Sequence, residues 1–136
     1  MVVVAASLAA GFAALRKDLR VAYLWAGPSI FSTVDQRQMA SVRAALAKGE
    51  VVLLYAGREN VWHARLWQRG LYPRNPVVVQ FDSDPPQRLR EMRERYGIRR
   101  AVVIGPPPSA PRLRGERDLG ARPGLPGSVA FGELPP

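Results

Sequence analysis

Apolar residues in this chain fall into two kinds of grouping that alternate along it: short, nearly continuous runs, and stripes at helical spacing. Val51–Ala56 (VVLLYA), Val77–Phe81 (VVVQF) and Ala101–Ile104 (AVVI) are the runs. Their β-branched and aromatic members, and the turn residues that follow at Gly57, Asp82 and Gly105, predict strands buried on both faces. Between them lie two stretches of helical pattern. Glu59 to about Arg69 carries Trp62 and Leu66 on one side and is closed by Gly70. The second has Pro86 in its first turn and ends at Gly97, with Leu89, Met92 and Tyr96 as its inner stripe.

A third helix is expected ahead of the first strand. Ser32 or Thr33 is placed as its N-cap, Asp35 or Gln36 completes a capping box, and Val34, Met39, Val42 and Leu46 form its apolar stripe up to about Lys48. Strand, helix, strand, helix, strand with short connections predicts right-handed crossovers and a parallel sheet. The fold class expected is therefore α/β, a minimal three-layer Rossmann-like domain over residues 27–105.

The two flanks read differently. Met1–Leu15 has no charge, and after Arg16, Lys17, Asp18, Leu19 and Arg20 a second apolar run, Val21–Ala26, contains Tyr23 and Trp25. Residues 1–26 are expected to act as a short membrane anchor. A signal-like segment and an ordinary core element remain open, because fifteen uncharged residues fall short of the roughly 20 that span a bilayer. The charges after Leu15 favour a cytoplasmic location for the rest of the chain. Residues 106–136 hold eight prolines and five glycines and predict a tail without regular structure, in which Val129–Phe131 has the composition to dock as a short strand.

Composition narrows the chemistry. The chain has no cysteine and a single histidine, His63, which excludes disulfides, thiolate chemistry and histidine-rich metal sites. A formal charge of +9 comes almost wholly from arginine, since only Lys17 and Lys48 are lysines. That field steers anionic partners, although solvated helix faces account for it equally well.

In an open parallel sheet, ligands sit beyond the carboxyl ends of the strands. This places Arg58, Glu59 and Asn60 after the first strand and Asp82 and Asp84 after the second among the candidate ligand-binding residues. The first turn lacks the glycines of a dinucleotide fingerprint, and no phosphate-binding G-x-x-x-x-G-K loop is present. Asp82-Ser83-Asp84 has the spacing to share a hard cation, but the same residues also suit a helix N-terminus. Trp62, His63, Trp67 and Tyr72, with Arg65, Arg69 and Arg74, offer rings and guanidiniums to a sugar or base; Trp62 and Arg74 complete the candidate set. The arginines of the 87–100 helix suit phosphates, but no nucleic-acid recognition motif accompanies them.

Trp62–Arg74 (WHARLWQRGLYPR), an aromatic-rich helix running through Leu-Tyr-Pro-Arg into a strand, resembles segments in the soluble parts of bacterial membrane proteins linked to cell-envelope polysaccharide or glycosyl transfer. The resemblance covers about residues 51–104. It implies a small α/β domain outside a transmembrane region, with Tyr72, Pro73 and Arg74 as a structural signature and the catalytic residues elsewhere. This chain lacks the multi-span portion of such proteins.

Together these readings lead to a membrane-associated, single-pass, non-catalytic accessory or binding domain of the cell envelope. Its expected partner is a membrane protein or an anionic glycan, with no cofactor or metal and without nucleic acid. Two alternatives stand beside it: a nucleotide- or metal-binding enzyme fragment using Asp82, Asp84, Glu59 and Asn60, and a nucleic-acid binder working through the arginine-rich helix.

Overall fold

The first helix, α1, runs from Thr33 to Ala45 and buries Asp35, Gln38, Met39 and Val42, with Leu46 continuing the stripe just beyond its end. This three-and-four spacing turns one face of the helix inward. The computed structural model describes residues 33–121 and 127–136, so the predicted membrane anchor at 1–26 lies outside the described residues.

Strands β1 (Val52–Ala56), β2 (Val77–Phe81) and β3 (Arg100–Ile104) form where the apolar runs predict them. β1 pairs in parallel with β2 on one side and with β3 on the other. All five residues of β1 are buried, as expected of the central strand of a parallel trio. β2 is half-buried along most of its length because it stands at the edge.

The rest of the sheet departs from expectation. Residues 106–136 are not a structureless tail, because Arg114–Ala121 forms β4 and Ser128–Glu133 forms β5. β5 pairs antiparallel with β3, and β4 pairs antiparallel with β5, giving a mixed five-stranded sheet in the order β2-β1-β3-β5-β4. Val129, Ala130 and Phe131 do dock, as members of an interior strand. Glycines enter the strands themselves: Gly115 and Gly120 lie within β4 at positive φ, and close approach of neighbouring backbone fixes others. Gly132 is one such position: a Cβ there would stand 2.9 Å from the Arg114 carbonyl oxygen.

Helices cover both faces. Alternation along β1 sends Leu53 and Tyr55 to one face and Val52, Leu54 and Ala56 to the other. Leu53 and Tyr55 join Ala101, Val103, Ala130 and Leu134 in a cluster sealed by Leu89 and Met92 of α3 (Pro86–Tyr96). α2 (Val61–Leu71), entered through a 3-10 turn at Arg58–Asn60, lies against β1 and β2 and also contacts α1. Gln38 of α1 ties that layer to the far edge, its Nε2 donating to the carbonyls of Leu119 and Gly120 at 3.0 Å each.

Two helix faces differ from the expected ones. α2 buries His63, Ala64, Trp67 and Leu71, so its buried face is not the side marked by Trp62 and Leu66, and Trp62 is 68% exposed. Tyr96, expected on the inner stripe of α3, is 44% exposed with the Arg95 guanidinium 5.5 Å from its ring centroid. α3 has no fully buried residue, so its stripe needs only Leu89 and Met92. Among the described residues, no helix is long and apolar enough to cross a membrane.

Candidate functional site

The carboxyl ends of β1 and β2 bring five of the seven candidate residues to one rim, and their polar groups are largely satisfied within it. Gly57 has no side chain, and Glu59 folds back into that space: a Cβ at Gly57 would lie 2.2 Å from Glu59 Oε1. The same oxygen accepts from Asn60 Nδ2 at 3.2 Å, and Asn60 is buried. The Arg58 backbone N–H donates to Asp82 Oδ1 at 3.0 Å. Asp84 Oδ2 accepts from the Phe81 N–H at 2.8 Å and from the Arg88 guanidinium at 2.6 Å.

Each carboxylate thus accepts at least one hydrogen bond from within the rim. Among the described residues there is no group of three or more histidine, aspartate or glutamate side chains placed to hold a metal ion. Trp62 stands one turn further on, at the start of α2, with its ring largely exposed.

Arg74 is not part of this rim. It precedes β2, at the amino end of the parallel strands, where its guanidinium donates to the Arg43 carbonyl at 3.4 Å and its own carbonyl accepts from the Gly49 N–H at 3.0 Å. The expected aromatic cluster also divides: Trp67 and His63 are buried, while Tyr72 is 66% exposed.

Burial of His63 produces a network invisible in the sequence. Its Nε2 lies 3.2 Å from Asp35 Oδ1 on α1 and 3.2 Å from the indole Nε1 of Trp67, one helical turn along α2. An indole N–H only donates and a carboxylate only accepts, so a single ring nitrogen serves one of these partners at a time. The arrangement clamps α1 to α2.

The opposite end of the sheet has another character. From Arg88 to Arg117 the chain holds nine arginines, three glutamates and no lysine. Several of these arginines converge where β3 and β4 begin and β5 ends. One depression, of about 380 Å³, is lined by Arg90, Arg93, Glu94, Ile98, Arg99 and Pro136. A second, of about 360 Å³, is lined by Arg100, Arg114, Arg117, Phe131 and Glu133.

The strand register builds the second depression. Glu133 is the cross-strand partner of both Arg100 and Arg114, and Phe131 is the partner of Arg117. Directly opposed residues share a face, so the three arginines, Glu133 and the Phe131 ring face the same way. Arg100 is held by Glu50 at 3.4 Å and by the Ala45 carbonyl at the end of α1. Arg117 lies over the Phe131 ring with its guanidinium carbon 5.3 Å from the centroid. Arg114 and Arg117 make no ion pair with any described residue, nor do Arg90 and Arg99.

In the first depression the Arg93 guanidinium is fixed by the Pro135 carbonyl, and the Leu134 N–H donates to the Arg99 carbonyl at 2.8 Å. The end of α3 accounts for some of this charge, because cations complement the carbonyl end of a helix dipole. It does not account for the arginines of β4.

Sequence reasoning pointed to the arginines of 87–100 but missed Arg114 and Arg117, which join them only through the β3-β5-β4 pairing. The run of arginines without lysine was the available signal. Comparison of the chain with protein-family models, with curated proteins and with solved structures found no match.

Proposed function

We propose that this chain is a non-catalytic binding domain whose arginine-lined end receives a polyanionic partner. The carrying observation is the contrast between the two ends of the sheet. At the carboxyl end each candidate carboxylate accepts a hydrogen bond from within the rim, whereas at the amino end Arg90, Arg99, Arg114 and Arg117 stand, among the described residues, without carboxylate partners around two open depressions. Guanidiniums pair bidentately with phosphate, sulfate and carboxylate groups, so this edge is built for anions.

In this reading the α/β unit keeps the helix and strand arrangement of a small Rossmann-like domain but leaves its usual strand-end site closed. Residues 1–26 hold it at a membrane of the bacterial cell envelope, the setting implied by the Leu71–Arg74 resemblance.

The test is retention of the purified chain on an immobilised sulfated polysaccharide and on immobilised polyphosphate, with elution by increasing salt. The wild-type chain is expected to be retained at low salt and released steeply as salt rises. Arg114→Gln with Arg117→Gln is expected to elute earlier. Passage of the wild-type chain through both matrices unretained at low salt would dismiss the proposal.

A further inference from the structure

Resting on the reading of the arginine-lined end as a polyanion site, we infer that its partner is a single-stranded nucleic acid whose backbone crosses the end of the sheet from one depression to the other. Arg99 and Arg100 are consecutive, one lining each depression. Consecutive residues at the start of a strand point to opposite faces, so the two depressions open on either side of the sheet's edge. A single small anion fills one of them. A flexible chain carrying a charge at every repeat fills both.

Two observations favour a nucleic acid over an acidic glycan. The cations are all arginine, whose planar fork matches a phosphate bidentately and stacks on flat rings. An aromatic ring stands beside them: Tyr96 is 44% exposed against Arg95, at the end of the helix that lines the first depression, while the buried Phe131 ring serves only to seat Arg117. A positive groove with nearby rings is the pattern that binds single strands without sequence preference, since every base has a face to stack. The bend over the sheet edge favours a flexible single strand rather than a stiff duplex.

The experiment measures fluorescence anisotropy of a labelled oligothymidylate of about 16 nucleotides, a length one small binding domain covers. A sulfated polysaccharide is measured in parallel as competitor. Binding that weakens linearly in log salt is expected, and Arg114→Gln/Arg117→Gln is expected to raise Kd at least tenfold and flatten the salt slope by about 0.7 for each phosphate no longer neutralised. Tyr96→Ala is expected to raise Kd for the oligonucleotide severalfold and leave the polysaccharide unaffected. All these positions are exposed, and unchanged thermal unfolding will certify the fold.

Oligonucleotide binding that is absent, or indifferent to the arginine substitutions, overturns the nucleic-acid assignment. If the sulfated polysaccharide still binds through Arg114 and Arg117 in that case, the polyanion reading survives without it. If neither polymer binds, both fail.

Discussion

The backbone N–H of Arg58 donates to the Asp82 carboxylate at 3.0 Å, joining the carboxyl ends of two parallel strands across 24 residues of sequence. The contact is exposed, and it uses the carboxylate that the position most invited one to assign to a ligand. Asp82→Ala is expected to cost about 1 kcal/mol, the usual worth of one such hydrogen bond, and to leave polyanion binding unchanged. Urea unfolding combined with the retention assay checks both halves. Loss of binding with intact stability would return the site to this rim.

Trp67 is fully buried on α2, and its indole N–H meets His63 Nε2. Trp67→Ala is expected to destabilise the domain by about 3–5 kcal/mol, the range for emptying a large aromatic from a core. Trp67→Phe keeps most of the volume but removes the donor, and should cost distinctly less. Comparing the two midpoints in denaturant separates packing from the hydrogen bond.

Asn75 is fully buried, and its Nδ2 donates to the carbonyls of Ala47 at 2.7 Å and Glu50 at 3.0 Å. It closes the connection between α1 and β1 from the β2 side. Asn75→Ala leaves both carbonyls short of a donor and is expected to cost about 2–3 kcal/mol. Hydrogen exchange should show the loss first at residues 47–52, and uniform protection there would contradict the assignment.

Gly127 adopts φ +81°, and a Cβ placed on it would fall 2.6 Å from the Cα of Gly105. The backbone at the start of β5 passes too close to the end of β3 for any side chain. Gly127→Ala combines this clash with a left-handed conformation and is expected to lower the midpoint of thermal unfolding by several degrees, at about 4–8 °C per kcal/mol for a domain of this size. Gly49, at φ +81° with nothing within 4 Å of its Cβ position, is the control: alanine there meets only the conformational cost.

Much of the fold was legible because burial on both faces leaves a mark in the sequence. Val52–Ala56, Val77–Phe81 and Arg100–Ile104 are strands for the reason their runs announce. β4 was not legible: Arg114–Ala121 (RGERDLGA) is largely exposed, carries register irregularities, and so has neither a run nor an alternation. The gathering of Arg58, Glu59, Asn60, Asp82 and Asp84 followed from topology alone. Their chemical use did not, because whether a carboxylate binds a ligand or its own turn depends on distances of a few ångströms. The Asp35–His63 contact spans 28 residues and two helices, and helical spacing records only which face is buried, not what meets it there.

β5 comes after every other described strand in the chain and yet lies inside the sheet, between β3 and β4. As the polypeptide leaves the ribosome, β1, β2 and β3 can assemble while one edge of β3, with Val102 and Val103 on it, still lacks its neighbour. Synthesis proceeds at about 5–20 residues per second, so that edge waits seconds for Ser128–Glu133 to arrive. The nascent domain is therefore most vulnerable to aggregation and to chaperone capture late in translation, and its stability switches on with its last described strand.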